Sequence, residues 1–270
     1  MTMKYISLFA GIGGFDLALQ RNGHECIYAN EWDKYAAEIY NKNFHKGIDE
    51  KEIDTRDIRT VPEDDIPDHD ILVGGFPCQA FSIAGKRKGF DDTRGTLFFE
   101  IARILRAKKP RLFLLENVKG LLSHDSGNTF KTIISTLTEL GYDLQWQVLN
   151  SKNFGVPQNR ERVFIIGNLR GTSRPEIFPI RNSSEVYNQS NENKEEIHNI
   201  ASTLTARQFA SWNGNYINQL NNPTDCHRIR RLTPTECERL QGFPDGWTEG
   251  ISDTQRYKCL GNAVTVNVVE

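Results

Sequence analysis

Cysteine is scarce in this chain of 270 residues. The five present, Cys26, Cys78, Cys226, Cys237 and Cys259, are odd in number and nowhere adopt a C-x-x-C spacing. A disulfide framework or a bound metal such as zinc is therefore not expected. No apolar run approaches the ~20 residues that span a bilayer, so no membrane association is expected. The opening "MTMKYISLFAGIGG" lacks a basic stretch, a long apolar run and a small-residue cleavage site. No signal peptide is read there, and the cytoplasm is the expected compartment. Charge of one sign is lacking too: 33 Lys and Arg stand against 35 Asp and Glu, a net charge of −2. Bulk charge gives no support for nucleic-acid binding, which would have to use local patches.

What is present is a regular alternation. Apolar segments at 4–9, 24–31, 70–76, 111–117, 142–149 and 161–167 read as strands, with a weaker one near 53–58. Amphipathic segments at 14–22, 33–43, 96–108 and 128–140 read as helices. In the third of these, Leu97, Ile101, Ile104 and Leu105 share one face. This pattern predicts an α/β fold with a mostly parallel sheet covered on both sides. Residues 182–196 are polar and read as a loop, and 200–217 suit short strands. From Thr233 a helix is predicted, with Thr233 as cap, Pro234 in the first turn and Glu236 closing a capping box. The expected division is a catalytic and cofactor-binding domain over 1–169, a small domain over 170–228 and a returning segment over 229–270.

The segment "SLFAGIGGFDLAL" joins the first strand to the first helix. Gly11, Gly13 and Gly14 allow a tight turn, with or without a ligand against it. The pattern is not G-x-G-x-x-G, because Asp16 stands where the third glycine would fall, and no P-loop lysine follows. Glu31 ends the second strand twenty residues after Gly11, where an acid accepts hydrogen bonds from ribose hydroxyls. An adenosine-bearing ligand without a pyrophosphate fits these features, and S-adenosyl-L-methionine is the candidate. Asp57 is placed either to meet an adenine or to serve as a turn aspartate. Cys78, in "GFPCQAFS", is read as a core thiol, a metal ligand or a nucleophile. Glu116 ends "RLFLLEN", where a lone carboxylate is costly to bury unless paired or used. Gly11, Glu31, Cys78 and Glu116 each follow a predicted parallel strand, and the carboxyl edge of such a sheet is where ligands bind. Gln158, Arg160 and Arg162 alternate, so an extended chain puts them on one face. That face is either a solvated strand edge or a basic comb that holds phosphate or orients a carboxylate.

Taken together, "FAGIGG", "NEWDKYAAEIY", "GGFPCQAFSIAGKRKGFDDTRGTLFFEIARIL", "ENVKGL", "QNRERVFIIG", "RRLTPTECERLQGFPD" and "GNAVTVNVV" resemble the DNA (cytosine-5) methyltransferases of bacterial or phage restriction–modification type. The resemblance covers nearly the whole chain, in the family's order. It implies an S-adenosylmethionine-dependent methyltransferase Rossmann-like sheet whose last strand is antiparallel, beside a small target-recognition domain. It implies cofactor contacts from Phe9, Ala10, Gly11, Gly13 and Gly14, then Glu31 and Trp32, then Asp57 and Ile58, and finally Pro77 and Asn262. S-adenosyl-L-homocysteine would be the product, and no metal is implied. Two departures stand out. The recognition stretch 170–228 is short and carries six basic and six acidic residues, so the flanking arginines would hold most of the DNA phosphates. The chain also stops at "GNAVTVNVVE", where Val264 and Val268 are spaced to begin a helix that family members usually continue.

By that resemblance Cys78 adds to C6 of cytosine, and Glu116 contacts the N3 and amino edge. Asn117 and Arg160 help to position Glu116, Arg162 supports the same loop, and Gln158 has a hydrogen-bonding role. The target base must swing out of the duplex. Gln79, Ser82, Lys86, Arg87, Lys88 and Arg94 are expected on the DNA side of the loop after Cys78, and Arg207 and Gln208 at the base edges. Double-stranded DNA is the expected partner of a monomer, with a cognate restriction endonuclease acting on the same site. The alternatives are a tRNA cytosine-5 methyltransferase and a catalytically impaired DNA-binding module. "PCQAFS" and the Thr-Leu-Thr run favour DNA, and intact Cys78 and Glu116 favour an enzyme.

Overall fold

The computed structural model describes residues 2–44, 52–77, 97–173, 177–180, 201–204, 216–219 and 228–270. In chain order the elements are β1 (Lys4–Leu8), α1 (Gly14–Arg21), β2 (Glu25–Asn30), α2 (Lys34–Phe44), β3 (Ile71–Gly75), α3 (Leu97–Lys108), β4 (Leu112–Val118), α4 (Asn128–Glu139) and β5 (Tyr142–Asn150). There follow β6 (Gln158–Asn159), β7 (Glu161–Leu169), β8 (Ala201–Ser202), β9 (Tyr216–Gln219), β10 (Arg228–Arg231), α5 (Pro234–Gln241), α6 (Asp253–Asn262) and α7 (Val266–Val269).

Six strands form one sheet in the order β2-β1-β3-β4-β7-β5. β1 pairs in parallel with β2 and β3, and β3 with β4, whereas β7 runs antiparallel to both β4 and β5. The central strands are apolar on both faces, as a doubly covered sheet requires. Ile6 and Leu8 of β1, Leu72 of β3 and Leu115 of β4 enter one core with Phe98, Ile101 and Leu105 of α3 and Ile133 and Leu137 of α4. Their neighbours Tyr5, Ile71 and Val73 enter the opposite core with Phe15, Phe164 and Val264. The period of two along each strand thus builds two cores from one sheet.

The predicted strands and helices are present, with ends displaced by no more than a residue or two. The weak strand near 53–58 is reduced to a single bridge between Asn30 and Asp54. Asp57 then turns the chain, because its carboxylate accepts from the Arg59 amide and caps a 3₁₀ turn over Ile58–Thr60. Thr233 and Glu236 complete the expected capping box of α5. The final helix is one turn long. The loop at 182–196 lies outside the described residues.

The segment from Leu232 onward returns to the sheet. Leu240, Phe243, Trp247, Leu260 and Val266 pack with Ile12, Ala18 and Ile39 in a third cluster. The Trp247 indole N–H donates to the Ile12 carbonyl at 2.9 Å. A Cβ on Gly14 would lie 2.8 Å from the Val264 carbonyl oxygen, and one on Gly13 would overlap the Phe44 ring. Two of the three loop glycines therefore serve close packing.

Asp16 fills the position of the missing third glycine. It is fully buried and accepts from the Ser7 hydroxyl at 2.8 Å and the Tyr40 hydroxyl at 2.9 Å. Burial pushes its carboxyl above the ordinary 3.8, against the pull of those two donors. A raised value in the folded state means that the neutral form favours folding. That contribution is complete below 3.8 and is lost as pH rises through the raised value. Asp16→Asn cannot titrate, so its stability relative to the parent should climb with pH across that window and then level off. Denaturant unfolding at stepped pH measures this, and a difference that stays constant would contradict it.

Candidate active site

β1, β2, β3 and β4 all end at the same edge of the sheet, and the strand order reverses between β1 and β3. A cavity of about 400 Å³ opens there. Its wall takes Phe9, Gly11 and Ile12 from the loop after β1, and Glu31, Trp32 and Asp33 from the end of β2. Gly75, Phe76 and Pro77 come from the end of β3, and Glu116, Asn117 and Val118 from the end of β4. Arg160 and Arg162 flank the start of β7, and Lys258, Cys259, Gly261 and Asn262 line the far side from α6.

At one end of the cavity, the Glu31 carboxylate accepts from two backbone amides. Gly11 N–H lies 2.9 Å from Oε2 and Asp33 N–H lies 2.7 Å from Oε1. Gly11 and Phe9 take left-handed conformations, at φ 58° and 55°. The left-handed cost at Phe9 is held at a functional edge, as strained backbone often is. Burial pushes the Glu31 carboxyl upward, while the Asp33 and Gly11 amides oppose it. The remaining lone pairs of each oxygen are free to accept from vicinal hydroxyls. Trp32 is 65% exposed, an unusual state for so large an apolar ring, and it lies on the same wall.

At the other end, Glu116 is 8% exposed and Arg162 Nε lies 3.0 Å from its Oε1. The antiparallel direction of β7 explains the pairing. Only an antiparallel strand begins at the edge where its neighbour ends, and the register sets Val118 opposite Arg162 and Glu116 opposite Phe164. Burial pushes the Glu116 carboxyl up, and the guanidinium groups of Arg162 and then Arg160 pull it down. The net displacement is upward, so the proton is held more tightly than on an ordinary glutamate. Asn117 Nδ2 donates to the Phe76 carbonyl at 2.9 Å, which fixes the end of β3 to β4.

The three residues of the expected basic comb separate by partner. Arg160 is 2% exposed; its Nη1 donates to the Leu204 carbonyl at 3.0 Å, and its Nη2 to those of Gly261 and Ala263 at 3.2 and 2.7 Å. Burial, then Arg162, pushes its guanidinium down to about 9. Gln158 accepts from the Leu204 amide at 3.0 Å and donates to the Leu240 carbonyl at 2.8 Å. Arg162 alone forms the ion pair with Glu116.

Of the other predicted cofactor residues, Ala10, Gly13, Gly14, Asp57 and Ile58 do not line the cavity. The Asp57 carboxylate is taken by Arg59, at 2.5 Å, and Ile58 is in the core. Cys78, Gln79, Ser82, Lys86, Arg87, Lys88, Arg94, Arg207 and Gln208 lie outside the described residues, and Pro77, the residue before Cys78, is on the wall. Among the described residues no cluster suited to a metal ion occurs, and no helix is long and apolar enough to cross a membrane.

Sequence reading missed two features. Asp33 and Lys258, both on the wall, form an ion pair at 2.6 Å. Their only sequence signal is position, two residues after Glu31 and four before Asn262. Gly75 is the other. A Cβ there would lie 3.2 Å from Glu116 Oε2, so the carboxylate occupies the space a side chain would need.

The sheet order with its one antiparallel strand is that of the S-adenosylmethionine-dependent methyltransferase fold, and the acid-lined cavity lies at its carboxyl edge. The S. pombe Dnmt2 methyltransferase has the same fold, with a TM-score of 0.75 at 21% identity over 99% of this chain and 96% of that one. Residues 3–223 and 213–270 match the model of the C-5 cytosine-specific DNA methylases. Type II methyltransferase M.HhaI of Haemophilus parahaemolyticus is 40% identical over 315 residues, 99% of this chain and 92% of its own. Type II methyltransferase M.NgoBI of Neisseria gonorrhoeae is 42% identical over 296 residues, 99% of this chain and 90% of its own. The chain belongs to the C-5 cytosine-specific DNA methylase family and is a DNA cytosine-5 methyltransferase.

Glu31→Gln tests whether this end of the cavity holds S-adenosylmethionine. The amide removes the charged acceptor that a ligand hydroxyl would meet. A hydrogen bond to a charged group is worth ~1.5–3 kcal/mol, which corresponds to roughly 10- to 150-fold weaker binding of S-adenosylmethionine. Calorimetric titration measures it, and unchanged affinity would remove Glu31 from the cofactor site.

Proposed function

We propose that this chain methylates C5 of a cytosine swung out of double-stranded DNA, with Cys78 adding to C6 and Glu116 engaging the N3 edge. The observation that carries this reading is the single cavity that holds Glu116 paired to Arg162, Glu31 held by two amides, and Pro77, the residue before Cys78. The cavity suits S-adenosylmethionine. Glu31 is set to accept from the ribose hydroxyls, Trp32 offers an open ring face, and Gly11 and Asn262 line the walls beside them. When bound, the cofactor supplies an electrophilic methyl group from its sulfonium.

Burial supports the base-flipping part of this reading. A carboxylate that is 8% exposed inside a cavity is out of reach of a base stacked within a duplex. In this reading the cytosine leaves the stack and enters the cavity of about 400 Å³ that Glu116 lines.

Cytosine C5 is a weak nucleophile. The Cys78 thiolate forms a bond to C6 and drives the ring electrons toward C5, which then takes the methyl group. Glu116, whose affinity for a proton is raised by burial, engages N3 and delivers a proton to it as negative charge develops in the ring. Arg162 stabilises the carboxylate that this leaves. Loss of the C5 proton to water, departure of the Cys78 thiolate and return of the N3 proton to Glu116 restore the ring and the acid. In this reading residues 170–228 form the target-recognition region, with Arg207 and Gln208 at the base edges. Lys86, Arg87, Lys88 and Arg94 meet phosphates, and Gln79 and Ser82 lie close to the flipped base. The enzyme acts as a monomer, and its methylated site is protected from a cognate restriction endonuclease.

Cys78→Ala should abolish methyl incorporation into DNA while binding of S-adenosylmethionine persists. Any substantial turnover in that variant would remove the thiol from the mechanism. Glu116→Gln should lower kcat by about 10²-fold or more, the range of a general acid, with cofactor affinity unchanged. Equal losses in kcat and cofactor affinity would make Glu116 structural instead.

A further inference from the structure

Leu204 lies within the stretch read above as the target-recognition region, yet it is sewn into the catalytic body. Its side chain is 2% exposed, in the cluster with Leu240, Leu260 and Ala263. β8 pairs with β6, and the Thr203 hydroxyl donates to the Asn159 carbonyl at 2.7 Å. Both backbone groups of Leu204 are held by side chains, the N–H by Gln158 and the carbonyl by Arg160.

The same guanidinium holds the carbonyls of Gly261 and Ala263. Gly261 lines the cavity, whereas none of residues 201–204 does. Arg160 thus bridges two segments of backbone that lie 44 and about 100 residues away from it in sequence. A guanidinium is a rigid planar fork, so its donors cannot reorient one by one. A shift of either segment must tilt the plane and misalign the other contact. The buried charge needs a reason as well. Among the described residues its hydrogen-bonded partners are carbonyls rather than carboxylates and its Nε has no partner, a costly arrangement for a residue that only ties a loop.

We propose that Arg160 is a positioning residue that links the recognition region to the cofactor wall, so that cofactor binding and target binding reinforce each other through it. The proposal rests on the functional reading above, in which 170–228 meets DNA and Gly261 meets the cofactor. Linkage is reciprocal: whatever factor the cofactor adds to DNA affinity, DNA adds to cofactor affinity.

Hydrogen exchange of the full chain, with and without S-adenosylhomocysteine, tests it. The cofactor product should slow exchange in the glycine loop and at 31–33, which it contacts, and also at 201–204, which it does not. In Arg160→Lys the first response should persist and the second should disappear. Arg160→Gln, which keeps a donor without the buried charge, serves if the lysine variant does not fold, and the same loss is expected. Duplex DNA should bind the wild type about fivefold or more tightly in the presence of S-adenosylhomocysteine, within the usual range of such couplings, and the variants should lose that gain. A wild-type response confined to the glycine loop and 31–33, or a response at 201–204 that survives both substitutions, overturns the proposal. No response at the glycine loop in the wild type would instead overturn the cofactor reading itself.

Discussion

Glu116 is a carboxylate withdrawn from water with one ion-pair partner, Arg162 at 3.0 Å, and much of the site follows from that desolvation. The antiparallel β7 is needed to start beside the end of β4 and deliver Arg162. Gly75 is needed because the carboxylate fills the space of a side chain. Asn117 ties Phe76 to β4, so the chain that leads through Pro77 to Cys78 starts from a fixed point relative to the acid. Burial and the two arginines act on the proton of Glu116 in opposite directions, and burial prevails. That balance suits the proposed role of Glu116, a group that would give a proton to a ring nitrogen and then remain stable as an anion.

The second organising element is the returning C-terminal segment. It contributes Lys258, Cys259, Gly261 and Asn262 to the cavity wall and packs Val264 against Gly14 of the glycine loop. The Asp33–Lys258 pair joins the segment after β2 to α6 on the cavity wall, two residues from Glu31. Three distant segments of sequence therefore form one binding wall. Arg160 and Gln158 form the joint between that wall and residues 201–204.

Much of this was legible in the residues. Runs such as "YISLF" and "ILVGGF" are apolar at nearly every position, the mark of strands covered on both faces, and the strand ends then placed Gly11, Glu31 and Glu116 at one edge. The Thr233 cap was legible because its partner lies only three residues away. The comb at Gln158, Arg160 and Arg162 was not resolved correctly by alternation alone. The Arg160 amide bonds back to the Gln158 carbonyl at 3.0 Å, so the extended chain is interrupted between β6 and β7, and Gln158 and Arg160 are taken up by buried backbone partners that alternation does not reveal. Asp57 illustrates local competition: Arg59, two residues on, takes its carboxylate. The Asp33–Lys258 pair depends on contacts 225 residues apart, which no local pattern encodes.

The central claim is that Cys78 bonds covalently to the cytosine whose N3 edge Glu116 engages. Replacing the C5 hydrogen by fluorine leaves no proton to lose after methyl transfer, so the thiolate cannot depart. The direct measurement is incubation of the enzyme and S-adenosylmethionine with random-sequence duplexes containing 5-fluorocytosine, followed by denaturing electrophoresis and peptide mapping. The account predicts a denaturation-resistant complex that forms only with the cofactor and maps to Cys78. A chain that methylates ordinary duplexes yet yields no such complex, or one attached at another residue, would contradict it.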